Sequence, residues 1–265
     1  MTEALQVAAP ATGRPSRLSM VAASLARPYH VTPSMVAFVS LIPLYILIPA
    51  FFPPAARYVP ELALDRMVPL VPVWALVYGA LYAFLILLPV FVVRHEPLLR
   101  RTVHAYLLIW LTAYVCFFVL WPTVAPRPAK VVGDGFAVWG LQALYSSDPP
   151  FNCFPSLHVA HSFVSALACS RVHRRVGIVA ILCAVLVAAS TVFTKQHYIL
   201  DVVAGIVLAL AAYTLFLRRE PAAPDFDRQV APALALGVGA VVTVGLIGVW
   251  VAYLLGGETH FEFGP

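Results

Sequence analysis

Seven long apolar stretches constrain the fold of this chain more than any other feature. They cover residues 34–52, 69–93, 102–121, 156–172, 176–194, 198–217 and 231–255. A helix needs about 20 mainly apolar residues to cross the hydrocarbon core of a bilayer, and each stretch is close to that length or longer. A membrane β-barrel would instead show strands of about ten residues with alternating polarity, and the sequence shows none. The sequence therefore predicts an all-α integral membrane protein, a helical bundle of about seven transmembrane helices.

The composition excludes several other classes of protein. Hydrophobic residues make up 62% of the chain and charged residues only 11%, whereas a soluble domain carries about 25% charged residues. Such an apolar chain is also unlike a disordered one. The net charge of +5 does not indicate a nucleic-acid partner, because the basic residues follow the membrane topology.

Lysine and arginine predict the orientation of the bundle. The segment before the first stretch and every second loop after it hold 12 of the 17 basic residues. These residues are Arg14, Arg17, Arg27, Arg94, Arg100, Arg101, Arg171, Arg174, Arg175, Arg218, Arg219 and Arg228. Because cytoplasmic loops are enriched in Lys and Arg, we expect a multi-pass protein of the cell membrane with a cytoplasmic N-terminus and an outer C-terminus.

Ionisable residues cluster at one predicted level of the membrane. Asp201 is the only acid within the seven stretches, and His197 precedes it by four residues, on the same face of a helix. His158 and His161 lie near the start of the fourth stretch. The orientation above places both groups near the outer surface, and ionisable residues at membrane depth usually serve a function.

Further polar groups near this cluster indicate an anion site. Arg127 follows the third stretch, and Lys195 precedes His197. Ser156 precedes His158 and is placed either to cap the helix or to donate a hydrogen bond to a phosphate oxygen. Two helix N-termini also point to this level, and the positive end of a helix dipole favours an anion. A phosphate is the ligand that fits this combination best.

A histidine paired with a carboxylate is a suitable nucleophile. The acid fixes one ring nitrogen as N–H and leaves the lone pair of the other nitrogen free to attack phosphorus. A second histidine on another helix is placed to protonate the departing oxygen. His197 with Asp201 meets the first requirement, and His158 meets the second. We expect His161 to have a packing role.

These residues resemble the motifs of the type 2 phosphatidic acid phosphatase superfamily of membrane lipid phosphatases and phosphotransferases. Its P-S-G-H motif corresponds to Pro155-Ser156-Leu157-His158. Its S-R-x5-H-x3-D motif corresponds to Ser190, His197 and Asp201, with Thr191 in place of arginine. Its K-x6-R-P motif survives only as Arg127-Pro128, because Leu120 replaces the lysine.

The residues that differ from these motifs resemble those of the branch that contains inositol phosphorylceramide synthases. That branch carries leucine in P-S-L-H and an H-Y-x-x-D sequence, and it moves phosphorylated headgroups between lipids. The motif core covers residues 100–217.

The resemblance implies a family-like six-helix catalytic domain over residues 31–217. A cytoplasmic tail would form residues 1–30, and a cytoplasmic loop, a seventh helix and a short outer tail would form 218–265.

The resemblance also implies a role for each site residue. His197 would form a phosphohistidine, Asp201 would orient it, and His158 would act as the general acid. The phosphate would be held by Arg127, Ser156 and Lys195. The partners would be phospholipids or other lipid phosphoesters within the bilayer, with no nucleic acid, cofactor or metal required.

Three alternatives to lipid phosphotransfer stay open at this stage. The same histidines support a lipid phosphate phosphatase, in which water attacks the intermediate. A zinc site built from His158, His161, His197 and Asp201 has suitable ligand types, although Arg127 and Lys195 would repel a cation. A proton-coupled transporter or another non-enzymatic membrane protein is the third alternative, since buried His and Asp also occur in proton relays.

Overall fold

The computed structural model of the chain describes residues 19–20, 22–23, 30–52, 55 and 58–256. Most of the predicted cytoplasmic tail and the outer tail after Gly256 therefore lie outside the described residues. So do Arg14, Arg17 and Arg27, on which the predicted orientation depends in part.

The described part of the chain is helical and contains no strand. Its helices are α1 (Pro33–Leu41), α2 (Leu44–Phe51), α3 (Ala63–Met67), α4 (Trp74–Val92), α5 (Glu96–Val115), α6 (Phe136–Ser147), α7 (Leu157–Val172), α8 (Arg174–Phe193), α9 (Ile199–Ala212) and α10 (Asp225–Gly256). One π-helical turn, Cys116–Leu120, extends α5, and another, Tyr213–Leu217, extends α9.

Within the described residues, six helical segments are long and apolar enough to cross a membrane. They are Pro33–Phe51, Trp74–Val92, Glu96–Leu120, Arg174–Phe193, Ile199–Leu217 and Asp225–Gly256. The bundle thus confirms the predicted fold class, with one difference from the predicted seven spans. The fourth stretch forms α7, which has only 16 residues and is about 24 Å long at 1.5 Å per residue.

The short helix α7 lies at the centre of the bundle. It packs against α4, α5, α8 and α9. Most of its residues are buried, including the polar residues His158, His161, Ser162 and Ser165. A helix that other helices surround does not need the length or the uniform hydrophobicity of a helix facing lipid. This burial explains why α7 carries polar side chains that a lipid-facing span would exclude.

Local capping fixes where α7 begins and ends. The Ser156 hydroxyl accepts a hydrogen bond from the backbone N–H of Val159 at 3.3 Å, as an N-cap residue does. His173 ends α7 and also caps α8, because its Nδ1 accepts from the N–H of Val176 at 3.4 Å. One residue therefore joins two antiparallel helices.

The long loop between α5 and α7 contains the helix α6. Leu141 and Tyr145 of α6 pack with Ala75 of α4 and with Val131. The Tyr145 hydroxyl donates to the backbone oxygen of Thr194 at 2.6 Å. The loop is therefore docked on the bundle at the end where α7 and α9 begin.

Candidate active site

Three of the predicted site residues lie in contact at the N-terminal ends of α7 and α9. Nδ1 of His158 is 3.4 Å from Nε2 of His197, and Nδ1 of His197 is 3.4 Å from Oδ2 of Asp201. All three side chains are buried. The beginnings of the two helices thus bring two imidazoles and a carboxylate into one continuous row of contacts.

Asp201 is fixed by further hydrogen bonds at the start of α9. Its Oδ2 accepts from the backbone N–H of Tyr198 at 2.8 Å and from the thiol of Cys153 at 3.0 Å. Its backbone oxygen accepts from the N–H of Ser156 at 3.0 Å. These bonds hold the carboxylate against His197 and tie the beginning of α9 to the beginning of α7.

A cluster of tyrosine rings surrounds His158. The ring centroids of Tyr45, Tyr78 and Tyr82 lie 6.0, 5.3 and 4.8 Å from that of His158. The three tyrosines belong to α2 and α4, which the sequence motifs do not include. The imidazole therefore lies in a largely apolar environment with phenol groups around it.

Arg127 lies beside this cluster and is itself held firmly. Its Nε donates to Oε1 of Gln196 at 2.9 Å, and its NH1 donates to the backbone oxygens of Tyr145 and Asp148 at 3.1 and 2.9 Å. Its NH2 is 3.6 Å from Oδ2 of Asp148. The sequence analysis missed Asp148, a carboxylate that offsets part of the positive charge predicted for the site.

The other predicted phosphate ligands have local partners as well. The Ser156 hydroxyl caps α7, and the Lys195 ammonium donates to the backbone oxygen of Asp65 at 2.9 Å. Lys195 has a φ of 56°, in the left-handed region that few non-glycine residues adopt. The roles of Ser156 and Lys195 as phosphate ligands stay predictions.

The N–H groups at the start of α9 are less available to an anion than the sequence suggests. The N–H of Tyr198 donates to Asp201, and the N–H of Ile199 donates to Oδ1 of Asp65 at 2.8 Å. Carboxylates of the protein already occupy these donors. The favourable effect of α9 on an anion is therefore limited to its dipole.

His161 has partners outside the cluster. Its Nδ1 accepts from the Trp110 indole at 3.2 Å, and its ring stacks on that of Tyr106 at 4.4 Å. These contacts support the packing role that we expect from the sequence.

One group of residues could hold a metal ion, and it differs from the group weighed in the sequence analysis. Among the described residues, Cys153, His197 and Asp201 bring one ligand atom each within 4.8 Å of one another. Zinc binds the thiolate form of cysteine. Burial, reinforced by the charge of Asp201, raises the pKa of the Cys153 thiol well above its usual value. In this structure the Cys153 thiol instead serves as a hydrogen-bond donor to Asp201.

An apolar groove of about 710 Å³ leads to the two histidines. Side chains of α1, α4, α5 and α7 line it, among them Phe38, Tyr82 and Leu157, and both His158 and His161 form part of its wall. Val39 and Val90 on its sides are 59% and 52% exposed. The groove therefore opens on the apolar surface of the bundle, where a bilayer would lie.

Comparison with known proteins identifies the family. The family model of the PAP2 superfamily matches residues 61–215, which is more than half of the chain. This chain belongs to the PAP2 superfamily. The match contains every residue of the histidine and aspartate cluster, and it begins before α4. Membership indicates lipid phosphatase or phosphotransferase chemistry and does not decide between them.

One curated relative is similar at lower coverage. A PA-phosphatase related-family protein of Dictyostelium discoideum is 24% identical over 128 residues, which is 43% of this chain and 23% of that protein. The chain thus spans about a quarter of the length of the relative that it matches. No solved structure matches the chain. The finer resemblance to inositol phosphorylceramide synthases stays a prediction.

Three residues near the PAP2 site, besides Asp148, escaped the sequence analysis as functional candidates. Cys153 and Gln196 each lie next to a motif, in the sequences NCFPSLH and KQHY, and that adjacency was an available signal. Tyr78 lies on α4, 80 residues before His158. Nothing in its surrounding sequence distinguishes it from the tyrosines that are common at the two membrane–water interfaces.

Proposed function

We propose that this protein transfers a phosphoryl group or a phosphorylated headgroup between lipids through a phosphohistidine at His197. The observation that carries the proposal is the contact chain from His158 through His197 to Asp201, placed beside a groove that suits a hydrocarbon chain. Membership of the PAP2 superfamily supports chemistry on lipid phosphoesters.

In the first step, Nε2 of His197 attacks phosphorus and the bond from phosphorus to the leaving oxygen breaks. Asp201 keeps the proton of His197 on Nδ1 and stabilises the positive charge that forms on the ring. His158 gives a proton to the leaving oxygen, so that the donor lipid departs as a neutral alcohol. The guanidinium of Arg127 stabilises the charge on the non-bridging oxygens.

The distance between the two histidines implies a movement before this step. Nε2 of His197 and Nδ1 of His158 are 3.4 Å apart, and an attacking atom must lie about 3–3.5 Å from phosphorus. A phosphate cannot fit between two nitrogens at that separation. Substrate binding therefore parts the two rings, and His158 exchanges its contact with His197 for one with the leaving oxygen.

In the second step, a hydroxyl group attacks the phosphohistidine and the bond from phosphorus to nitrogen breaks. His158, now neutral, accepts the proton of the attacking hydroxyl. A lipid alcohol as attacker gives transfer, and water gives hydrolysis. Leu157, next to His158, is only 2% exposed and lines the apolar groove, which favours an acceptor that arrives from the bilayer over water.

Lipid phosphate hydrolysis is the second candidate. The name of the Dictyostelium relative refers to PA-phosphatase, and the same three residues perform hydrolysis if water reaches the phosphohistidine. The two candidates share the first step and differ only in the acceptor.

A transfer assay on the purified full-length chain separates these candidates. We expect a radiolabelled phospholipid donor to turn over slowly alone and faster when a lipid or polyol acceptor is added, with a new phosphodiester as product. His197→Ala should abolish turnover and the acid-labile label on the protein. His104→Ala is the matched control, since His104 lies on α5 beside Phe216, away from the cluster. Rapid release of inorganic phosphate from a lipid phosphate monoester, unchanged by any acceptor, would establish the phosphatase instead.

A further inference from the structure

Besides the Ser162 hydroxyl on α7, two buried hydrogen-bond donors near the histidines have no protein partner among the described residues. Among the described residues, the Tyr78 hydroxyl and Nε2 of Gln196 make no hydrogen bond. Tyr78 is 4% exposed and Gln196 is 2% exposed. Buried polar groups are nearly always paired, because an unpaired one costs free energy. Two unpaired donors beside one site therefore point to a ligand that accepts hydrogen bonds.

The Tyr78 hydroxyl belongs to the surroundings of the catalytic cluster. Its ring centroid is 5.3 Å from that of His158, and the phenol is close enough to interact electrostatically with Arg127 and Asp148. Tyr78 comes from α4, which packs against α7 and carries none of the motif residues. Its hydroxyl is one of the few polar groups that α4 contributes to this region.

The orientation of Gln196 is fixed by Arg127. A guanidinium has only donors, so the amide oxygen of Gln196 must face it, and Oε1 is 2.9 Å from Nε of Arg127. The amide NH2 is thereby the end left unpaired. Because Gln196 immediately precedes His197, this NH2 lies on the segment that carries the nucleophile.

The site also has fewer free cationic donors than the motifs of the superfamily provide. Leu120 and Thr191 stand where those motifs carry lysine and arginine. Lys195 donates to Asp65, and Arg127 is bonded to Gln196, Tyr145 and Asp148. A phosphate, whose oxygens only accept hydrogen bonds, needs donors from elsewhere.

We propose that the Tyr78 hydroxyl and the Gln196 amide bind the non-bridging phosphate oxygens of the substrate, as neutral replacements for the missing cations. This inference rests on the proposed function, because it assigns two further ligands to the same phosphate. It extends the substrate site from α7 and α9 to α4, which carries no motif residue.

Conservative variants of the full-length chain test each donor. Tyr78→Phe removes only the hydroxyl, and Gln196→Glu keeps an oxygen for Arg127 while it replaces the NH2 by an acceptor. A hydrogen bond to a charged group contributes about 1.5–3 kcal/mol, so we expect orthovanadate, a phosphate mimic, to inhibit each variant about 10- to 100-fold more weakly than wild type. The KM for a phospholipid donor should rise in parallel.

Thermal stability distinguishes ligand binding from a structural role. Removal of an unpaired hydroxyl should leave the melting temperature of Tyr78→Phe unchanged or raise it, whereas loss of a structural hydrogen bond would lower it. Tyr213→Phe, at the opposite end of α9, and Gln229→Glu, exposed on α10, are the matched controls and should inhibit like wild type. If both Tyr78→Phe and Gln196→Glu are active and vanadate inhibits them as strongly as it inhibits wild type, the inference is overturned and the proposed function stays intact.

Direct measurement of anion binding tests the inference even when the wild type shows no turnover. If the wild type turns over no lipid phosphoester, the proposed function fails. Stabilisation of the wild type by vanadate or inorganic phosphate, absent in the two variants, would still support the inference. Equal stabilisation of wild type and variants would overturn it, as would the absence of any stabilisation in the wild type.

Discussion

At the scale of single residues, Asp201 joins several parts of the site through its side chain and its backbone. Its Oδ2 atom contacts His197, Cys153 and the backbone N–H of Tyr198. Its backbone oxygen accepts a hydrogen bond from the N–H of Ser156. In the proposed mechanism the carboxylate orients the nucleophile, and the backbone oxygen ties α9 to α7. Only the first of these functions depends on the negative charge.

Asp201→Asn should therefore leave the protein folded and slow turnover by orders of magnitude. The amide keeps an oxygen for the neighbouring donors, but it cannot stabilise the imidazolium or hold the reactive tautomer. The comparable change in a serine protease triad costs about 10⁴ in rate. Turnover of the purified variant, with circular dichroism as a check of folding, measures this effect. Activity close to that of wild type would remove Asp201 from the mechanism.

Cys153 gives a second prediction, through its thiol bond to Asp201 at 3.0 Å. Cys153→Ser keeps a donor and should retain most of the activity, whereas Cys153→Ala should lower kcat about 10-fold, in line with the loss of a hydrogen bond to a charged group. Equal kcat values for the two variants would exclude a positioning role for the thiol.

The raised pKa of Cys153 also predicts a pH dependence of stability. Burial keeps the thiol protonated in the folded protein above its ordinary pKa of 9.0, at which the unfolded chain releases the proton. Folding is therefore favoured by the proton below pH 9, and this contribution is lost as the pH rises above 9. Denaturation of wild type and Cys153→Ala between pH 8 and 10.5 should show a smaller alkaline loss of stability in the variant.

At the scale of helices, the close approach of α9 to α7 aligns the two histidines. A Cβ atom on Gly205 would lie 2.6 Å from the backbone oxygen of Ser156 and 3.2 Å from Cβ of Val159. Only a glycine permits this distance, and it lies one turn beyond Asp201 on α9. The separation of the helices is therefore set next to the catalytic residues.

Gly205→Ala should push α9 away from α7 and lower both stability and activity. Overpacking of this kind costs about 1–3 kcal/mol, and a shift of the helix separates His197 from His158. Gly237→Ala on α10, where nothing lies within 4 Å of the new Cβ, is the control and should be neutral or stabilising. Thermal unfolding and turnover of both variants measure the difference, and a fully active Gly205→Ala would contradict this account of the alignment.

The helices and the pair of His197 with Asp201 follow from the sequence because both depend on local patterns, whereas His158, 39 residues before His197, is predicted from the orientation of the spans and the family motifs. Apolar length predicts the spans, and the four-residue spacing of His197 and Asp201 predicts their pairing. The brevity of α7 was missed, because apolar length does not distinguish a helix facing lipid from one surrounded by protein. Tyr78 and Asp148 were missed because their contacts to the site join positions far apart in the chain, for which a single sequence contains no signal.

At the scale of the whole molecule, the site lies at one end of the bundle and most described arginines lie at the other. Arg94 pairs with Asp227, and Arg101 pairs with Glu220, near that second end. The excess of basic residues there supports the proposal that the catalytic end faces away from the cytoplasm.

Cysteine labelling in intact cells tests this orientation. Lys130→Cys, exposed in the loop before α6, should react with a membrane-impermeant maleimide, whereas Arg174→Cys, exposed at the start of α8, should react only after lysis. A Cys183→Ala background removes the one described cysteine that is not buried. The opposite labelling pattern would place the site in the cytoplasm and change the lipid pool available to it.

The groove beside His158 has a consequence for how the rate of this protein depends on its substrate. Because the groove opens on the apolar surface between α1 and α4, a lipid reaches it by lateral diffusion within the plane of the membrane. The concentration that governs turnover is then a surface density. At a fixed bulk amount of substrate, added inert lipid or detergent should slow the reaction by dilution in two dimensions, with a KM best expressed as a mole fraction.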